Sequence, residues 1–132
     1  MVDEVRSRTM RAIKSKDTST ELAVRRLVHG MGFRFRLHRR DLPGSPDLVF
    51  PTRRKIIFVH GCFWHGHDCR RGNRVPSTNT DYWLSKIARN RQRDDSVLAQ
   101  LRDLGWHSYV VWECQLKEPE QLRAALLRFL SA

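Results

Sequence analysis

The sequence predicts an α/β fold in which helices flank a mixed β-sheet. Two short apolar runs, at residues 48–50 and 56–59, have the length and composition of buried strands. Another apolar run, at residues 108–112, follows a long segment with helical periodicity. The resulting order of helix, three strands, loop, helix, strand and helix indicates a sandwich of helices around one sheet. A chain of 132 residues fits one such unit, so we expect residues 1–132 to form a single domain.

The N-terminal part of the chain predicts a basic segment followed by a helix. Residues 1–16 are polar and basic, and we interpret them as a short helix or as an arm that orders on a partner. Thr18 and Glu21 have the spacing of a capping box, which predicts that a helix begins there. The apolar residues that continue at helical spacing up to Gly32 are Val24, Leu27, Val28 and Met31.

The remaining elements follow from alternation, turn residues and helical periodicity. Apolar and basic residues alternate over residues 33–38, which is typical of a strand, and a turn rich in Pro and Gly follows at 42–46. Residues 61–80 carry an aromatic, His and Cys cluster and then a polar stretch, which indicates a long functional loop. Residues 81–104 predict a long helix, and residues 118–130 predict a last helix with a proline near its start.

The charge of the chain points to a polyanionic partner. Lys and Arg number 25 against 14 Asp and Glu, which leaves a formal net charge of +11. Neutralising nucleic-acid phosphates releases their condensed counterions, so this excess in a small domain favours nucleic acid as the partner. The alternative is a basic surface that is merely solvated. With DNA as the partner, the basic residues 1–16 are candidates for direct contact with it.

Composition also bounds location and redox chemistry. No segment reaches the roughly 20 apolar residues of a membrane span, and residues 1–4 are unlike a signal peptide. We therefore expect a cytoplasmic protein with no membrane partner. The three cysteines are an odd number, which disfavours a disulfide framework and leaves metal binding or catalysis open.

Four side chains have the chemistry of a zinc site. Cys62, His67 and Cys69 lie close together in the loop, and Cys114 follows the last predicted strand. Three thiolates and one imidazole close a tetrahedral sphere, which is the structural kind of zinc site. The alternative makes Cys62 and Cys114 small buried hydrophobes and Cys69 an exposed thiol. A zinc site would use every cysteine in the chain, which favours it over the alternative. The length of the loop favours it too, because a loop this long needs something to order it.

A carboxylate and two histidines suit metal-assisted hydrolysis. Asp47 begins one predicted strand, His60 ends the next, and His65 follows in the loop. Nucleases hold a divalent cation against the phosphate with such a carboxylate and a functional residue at the end of the neighbouring strand. Mg²⁺ keeps several waters and needs only one or two carboxylates, and histidine suits proton transfer near neutral pH. Taken singly, Asp47 also fits a turn residue and each histidine a surface group.

The long predicted helix carries polar residues on its apolar stripe. Asn90 and Asp94 share the stripe that includes Trp83, Ile87 and Leu98. Polar groups that face inward need partners. In one interpretation Asp94 orients a catalytic histidine and Asn90 holds a phosphate or a water. In the other, both residues contact neighbouring arginines of the same helix.

The residues above also resemble a known family. The string His60-Gly61-Cys62-Phe63-Trp64-His65 is highly specific, and the further matching segments are residues 10–13, 42–47, 75–76, 83–87 and 111–114, with Asn90. Over about residues 10–114 the chain resembles the very short patch repair endonucleases, bacterial enzymes that nick DNA next to T·G mismatches. This resemblance implies a restriction-endonuclease-like fold, with the mixed sheet and a structural zinc site, and DNA of the bacterial nucleoid as the place of action.

The resemblance implies a role for each candidate catalytic residue. Asp47 resembles the magnesium-binding aspartate of the family, and the Val59 carbonyl is then a second protein ligand. His65 is similar to the general base and Asp94 to its partner. His60 is similar to a second catalytic histidine near the phosphate.

The resemblance extends to the zinc ligands and the DNA contacts. Glu21 is similar to an acidic residue on the first helix that contacts metal-bound water, a role that coexists with its place in the capping box. The residues that match the zinc ligands are Cys62, His67, Cys69 and Cys114. The residues that resemble the DNA-contacting set are Phe63, Trp64 and Trp83 in the stack beside the mismatch, Met10 from the minor groove, and Asn90. Trp83 also fits a core position.

The implied function is a monomeric, mismatch-directed nicking endonuclease that uses Mg²⁺ for catalysis and Zn²⁺ for structure. Hydrolysis as in the family leaves a 5′-phosphate and a 3′-hydroxyl, and repair-pathway proteins are further expected partners. One alternative is a nickase for another mismatch or a damaged base. Another is a zinc-ordered DNA-binding module without catalysis, although pure binding gives no reason to keep Asp47, His60, His65 and Asp94 together.

Overall fold

Three helices and a four-stranded sheet make up the part of the chain that the structure describes. The computed structural model describes residues 19–69 and 77–132. The helices are α1 (Ser19–Gly30), α2 (Thr80–Asp103) and α3 (Pro119–Ser131). The strands are β1 (Arg36–Leu37), β2 (Leu48–Phe50), β3 (Lys55–His60) and β4 (His107–Trp112), and a 3₁₀ helix (Glu113–Lys117) precedes α3. Within the described residues, no helix is long and apolar enough to cross a membrane.

The sheet has the order β1-β2-β3-β4 and contains both strand directions. β1 pairs with β2 and β2 with β3 in antiparallel fashion, whereas β3 and β4 are parallel. Parallel strands cannot be joined by a tight hairpin, and α2 lies in the long connection between these two. In the parallel pair Val59 lies beside Val111 and His60 lies beside Trp112.

Helices cover both faces of the sheet. On one face, α1 and α3 pack on the strands through the buried residues Val24, Val28, Leu48, Phe50, Ile57, Val111, Leu122, Leu126 and Leu130. On the other face, α2 and the turn after it contribute Leu101 and Trp106, which pack on Val49, Ile56 and Phe58. Successive strand residues point to opposite faces, so burial of both faces explains why β2 and β3 have apolar runs without polar alternation.

The predicted α/β fold and order of elements are confirmed, but the first strand is shorter than predicted. The alternation over residues 33–38 predicts a strand of six residues, and β1 contains only Arg36 and Leu37. Its partner β2 has three residues, and only Leu48 and Val49 pair with β1. Phe33 and Phe35 pack against the core from outside the ladder. Their alternation therefore reflects burial of one side of an extended segment rather than strand pairing.

Candidate functional site

Asp47 lies immediately before β2, after the buried Pro46. Its Oδ2 accepts a hydrogen bond of 2.7 Å from the backbone N–H of Val59, which fixes the carboxylate against the end of β3. Burial raises the pKa of Asp47 to about 7, because the hydrogen bond from Val59 offsets only part of the desolvation and Glu21 raises the pKa further. A bound cation in place of the proton would offset the free energy of desolvating the ionised carboxylate, so the site suits a cation.

A second carboxylate reaches the same place from α1. The side chain of Glu21 is only 3% exposed, and its Oε2 accepts a hydrogen bond of 2.9 Å from Arg25. His38 lies between the two carboxylates, with Nε2 at 3.4 Å from Glu21 Oε1 and Nδ1 at 4.0 Å from Asp47 Oδ1. One ligand atom from each of Glu21, His38 and Asp47 lies within 4.8 Å of the others. Two carboxylates at this spacing are the oxygen ligands that Mg²⁺ prefers.

A histidine and a carboxylate face each other between the loop and α2. Nδ1 of His65 lies 2.6 Å from Oδ2 of Asp94. An ionised carboxylate can only accept, so Nδ1 carries a proton, and in the neutral imidazole Nε2 then keeps its lone pair. The structure therefore brings His65 and Asp94 together in the arrangement of a base and the group that orients it.

His60 stacks on His65 at the end of β3. The two imidazole centroids are 3.8 Å apart and the ring planes differ by 4°. Burial lowers the pKa of His60 to about 3, and the neighbouring His65 lowers it further. His60 is therefore neutral at neutral pH. Its Nδ1 lies 4.0 Å from Oδ2 of Asp94, so the carboxylate is much closer to His65 than to His60.

These side chains line an open cleft of about 510 Å³. His60, His65 and Asp94 lie on its wall together with Arg91 of α2 and Trp112 of β4. Both polar and apolar groups meet there, which is typical of a site where a few polar groups orient a substrate.

Three thiols and an imidazole converge in the same loop region. One ligand atom from each of Cys62, His67, Cys69 and Cys114 lies within 4.8 Å of the others, and Sγ of Cys114 is 3.5 Å from Nδ1 of His67. Tetrahedral zinc with sulfur and nitrogen ligands at about 2.0–2.3 Å needs ligand atoms at similar separations. Burial raises the pKa of Cys62 to about 12, with Cys69 and Cys114 contributing, so without a cation the Cys62 thiol stays protonated. The donor set and spacing fit a metal ion.

The pairing of two strands explains how distant cysteines meet. His60 and Trp112 are level in the parallel pair of β3 and β4, so Cys62 and Cys114, each two residues further on, leave the sheet side by side. The backbone N–H of Cys114 lies 3.3 Å from Sγ of Cys62. The ring of His67 stacks on Trp112 with centroids 4.2 Å apart. The predicted four-residue cluster is thus assembled by the sheet.

Two further contacts fix the loop against α2. Nδ2 of Asn90 donates a hydrogen bond of 2.8 Å to the carbonyl of Trp64. Gly66 has a positive φ of 61°, and a Cβ atom there would lie 2.7 Å from Ile87 and 2.9 Å from Arg91. Only glycine allows the loop to approach the helix this closely. Asn90 therefore contacts the loop backbone, and its predicted contact with DNA stays a prediction.

Aromatic side chains gather where α2 begins. The rings of Phe63, Trp64 and Trp83 contact one another with centroids between 5.2 and 5.8 Å apart. Nζ of Lys86 lies 5.2 Å from the Trp64 centroid, and Tyr82, which is 54% exposed, packs edge-on against Trp83. None of the three clustered rings is fully buried. The cluster is therefore a cationic aromatic surface rather than part of the core.

Some predicted site residues lie outside the described part of the chain, and two residues beside Asp47 and Glu21 were not predicted. Met10 and residues 1–16 lie outside the described residues, as does Thr18 of the predicted capping box. The Val59 N–H contacts Asp47, while the predicted metal contact of its carbonyl stays a prediction. Sequence reasoning missed His38 and Arg25. Arg25 is four residues after Glu21, a spacing typical of a helical ion pair, but nothing in the sequence places His38 beside Asp47.

Comparison with known proteins adds independent evidence. The family model described as DNA mismatch endonuclease Vsr matches residues 1–71. The type II nicking enzyme V.XorIIP of Xanthomonas oryzae pv. oryzae is 52% identical over 127 residues, which cover 96% of this chain and 93% of that protein. The DNA mismatch endonuclease Vsr of Escherichia coli is 45% identical over 117 residues, or 89% of this chain and 74% of that protein.

A third relative extends the similarity along the chain. The type II nicking enzyme V.NmeAIP of Neisseria meningitidis is 41% identical over 125 residues, which cover 95% of this chain and 89% of that protein. The relatives match nearly the whole chain. They point to the same family as the motif around Cys62 and the mixed sheet flanked by helices. The resemblance predicted from the motifs is confirmed, and the chain belongs to the Vsr family of DNA mismatch endonucleases.

Proposed function

We propose that the chain nicks one strand of double-stranded DNA beside a T·G mismatch by Mg²⁺-dependent hydrolysis. The observation that carries this proposal is that a carboxylate suited to a cation and a histidine suited to act as a base both contact the end of β3. The N–H of Val59 holds Asp47, the carboxylate for the cation, and the ring of His60 stacks on His65, the proposed base. The cation site and the base are thus anchored on adjacent residues, as attack of water on one phosphate requires.

Asp47 and the carbonyl of Val59 are the proposed protein ligands of Mg²⁺, with Glu21 as an outer carboxylate. When bound, the cation supplies charge stabilisation for the phosphate and makes water more acidic. The raised pKa of Asp47 supports this assignment, because a half-buried carboxylate next to another carboxylate is stabilised in its ionised form by a nearby positive charge. Further support comes from the contact of Asp47 with the backbone of Val59 and from the closeness of Glu21 to Asp47.

His65 is the proposed general base. Its Nε2 takes a proton from the attacking water, while Asp94 accepts the hydrogen bond from Nδ1 and stabilises the imidazolium that forms. His60 stays neutral beside it and retains an N–H that can donate to the phosphate. Hydrolysis in this manner breaks the P–O3′ bond and leaves a 5′-phosphate and a 3′-hydroxyl.

The cluster of Cys62, His67, Cys69 and Cys114 is the proposed structural zinc site. Its support is the donor set, since three thiols and an imidazole suit Zn²⁺ and leave no open position for a substrate. The ion would stiffen the loop that carries His65, Phe63 and Trp64. Loop rigidity matters here because a general base must be held within a fraction of an ångström of its working position.

Recognition of a mismatch is proposed to use the aromatic cluster of Phe63, Trp64 and Trp83. Apolar wedges that enter the base stack cost a few kcal/mol of stacking, and less at a mismatched step. The net charge of +11 supplies the affinity for the phosphate backbone, which carries no sequence information. The relatives support the reaction class, since one is a DNA mismatch endonuclease and others are nicking enzymes by name.

The test is a strand-resolved cleavage assay. Duplexes with each strand labelled in turn, carrying every single mismatch or none, are incubated with the purified chain in Mg²⁺ and in EDTA. We expect one cut beside T·G in Mg²⁺ only, with a product end that ligase can reseal. Cutting at another mismatch would reassign the substrate. Binding without any cut in Mg²⁺ would identify a DNA-binding module instead.

A further inference from the structure

His38 faces Asp47 across the ladder between β1 and β2. Leu37 pairs with Leu48, so the next residue outward on each strand, His38 and Asp47, lie opposite one another. The backbone N–H of His38 donates to the carbonyl of Asp47 at 3.3 Å. His38 also has a φ of 51°, in the left-handed region that costs a non-glycine residue about 1 kcal/mol or more. The backbone thus holds this imidazole beside the carboxylate in a conformation that is locally unfavourable.

Arg25 determines which nitrogen of His38 carries the proton. Its guanidinium nitrogen lies 3.0 Å from Nε2 of His38 and 2.9 Å from Oε2 of Glu21. A guanidinium has donors and no acceptor, so Nε2 must present its lone pair. Glu21 Oε1 is farther from Nε2, at 3.4 Å, and cannot accept from a nitrogen that has no proton. The proton of the neutral ring is then on Nδ1, the nitrogen that faces Asp47.

The distance from Nδ1 to Asp47 leaves room for one water molecule. Nδ1 lies 4.0 Å from Oδ1, beyond a direct hydrogen bond but within the reach of a bridging water. Oδ2 of the same carboxylate already accepts from Val59. The other oxygen, Oδ1, is the one that faces Nδ1 of His38, and the carboxylate also interacts with the side chain of Glu21.

We propose that His38 is a positioning residue for Asp47 and that Arg25 holds it in the Nδ1–H tautomer. The proposal rests on the proposed function, since it concerns the carboxylate that would bind Mg²⁺. The arrangement parallels that of Asp94 and His65 with the roles reversed: there a carboxylate orients a histidine, and here a histidine orients a carboxylate. Partners of this kind, one step removed from a metal, typically change metal affinity or activity by about 10- to 100-fold when removed.

The first test is the tautomer itself, which does not depend on catalysis. Nitrogen-detected NMR of the ¹⁵N-histidine-labelled chain, without DNA or Mg²⁺, distinguishes protonated from unprotonated ring nitrogens. We expect His38 to carry its proton on Nδ1, and Arg25→Met to abolish that preference. Arg26→Met is the matched control, because Arg26 is the exposed neighbour on α1 and the charge change is the same. A ring protonated on Nε2 in the unaltered chain would overturn the proposal.

The second test is a Mg²⁺ titration of nicking. His38→Ala should raise the Mg²⁺ concentration for half-maximal rate by about tenfold, with the maximal rate changed by less than about threefold. His38→Asn places an amide near the position of Nδ1 and should restore most of the Mg²⁺ dependence. His38→Gln places its amide near Nε2 and should not. His29→Ala, at an exposed histidine of α1, is the matched control.

The outcomes separate this inference from the proposed function. If the unaltered chain does not nick mismatched DNA in Mg²⁺, the proposed function fails. If it nicks, but His38→Asn and His38→Gln have the Mg²⁺ dependence of the unaltered chain, the function stands and His38 has no positioning role. If His38→Ala does not fold, the Asn and Gln pair still decides, because both retain a polar side chain of similar bulk.

Discussion

The imidazole rings of His60 and His65 are stacked face to face, with centroids 3.8 Å apart. Two positive charges at about 4 Å repel by about 4 kcal/mol at the effective dielectric of a protein surface. The pair therefore holds at most one extra proton near neutral pH. Asp94 lies 2.6 Å from Nδ1 of His65 and 4.0 Å from Nδ1 of His60, so it directs that proton to His65.

Asp94→Asn should slow nicking by about two to four powers of ten, because an amide can donate to Nδ1 and favour the wrong tautomer of His65. DNA affinity and thermal stability should change little, since the side chain keeps its shape. Single-turnover rates on mismatched duplex measure the effect. Asp103→Asn, at an exposed residue of the last turn of α2 outside the cleft, is the matched control and should cut normally. Equal rates for the two variants would remove Asp94 from the mechanism.

His60 predicts a specific pH dependence of stability. Its folded pKa of about 3 lies below its unfolded value of 6.5, so the unfolded chain binds more protons between these values and stability falls as the pH drops below 6.5. From pH 7.5 to pH 5 this group should cost about 2 kcal/mol of unfolding free energy. Urea unfolding at both values checks it. His60→Asn should reduce the loss by about that amount, and an unchanged loss would show that His60 is accessible to protons when folded.

One tightly bound zinc ion per chain is expected by elemental analysis. His67→Ala should release it and lower the melting temperature by 10 °C or more, on the order of the several kcal/mol that a closed zinc site contributes to folding. His107→Ala, at an exposed histidine on β4 outside the cluster, is the control and should keep both the metal and the melting temperature. Purified protein free of zinc, with full activity, would contradict the assignment.

Trp64→Ala should weaken binding to mismatched duplex more than to perfectly paired duplex. A wedge contributes only where the stack opens, and a mismatched step opens at lower cost. We expect the ratio of the two dissociation constants to shrink by about tenfold, which corresponds to the 1–3 kcal/mol typical of a base stacked on an aromatic ring. Titrations of both duplexes at one salt concentration measure this ratio.

Tyr82→Ala is the matched control for that experiment. Tyr82 is the most exposed of the neighbouring aromatic residues and contacts Trp83 rather than the loop. Its removal should leave the ratio of dissociation constants within about twofold of the unaltered chain. Equal losses on both duplexes for Trp64→Ala, with a normal melting temperature, would show that Trp64 packs the loop and does not enter the stack.

The sequence was most informative where local pattern and tertiary structure agree. The apolar runs of β2 and β3 are buried on both faces, so composition alone located them. The cluster of Cys62, His67, Cys69 and Cys114 was predictable because the chain has only three cysteines, and all of them converge with His67. The contact between His65 and Asp94 was foreseen from an acidic residue on an apolar helical stripe, which requires a partner inside the molecule.

The contacts that could not be predicted from the sequence depend on pairing between distant segments. His38 meets Asp47 only because β1 and β2 pair in a particular register, and register is set by turn geometry and packing rather than by local pattern. The same dependence shortened the first strand, since pairing ends at Arg36. The carbonyl of Trp64 as the partner of Asn90 was equally hidden, because a backbone acceptor has no signature in sequence.

The side-by-side departure of Cys62 and Cys114 from β3 and β4 has a consequence for the order of synthesis. The two residues are 52 positions apart, so the ribosome completes the loop long before it makes the strand to which the loop is fastened. A nascent or truncated chain that ends before residue 114 already contains His60, His65 and Asp94 but lacks the fourth member of the proposed metal cluster. Such a chain lacks the thiol that completes the cluster, and one that ends before residue 107 also lacks the strand that pairs with β3. The loop that carries His65 is therefore fastened to the end of β4 only after almost all of the chain has been made.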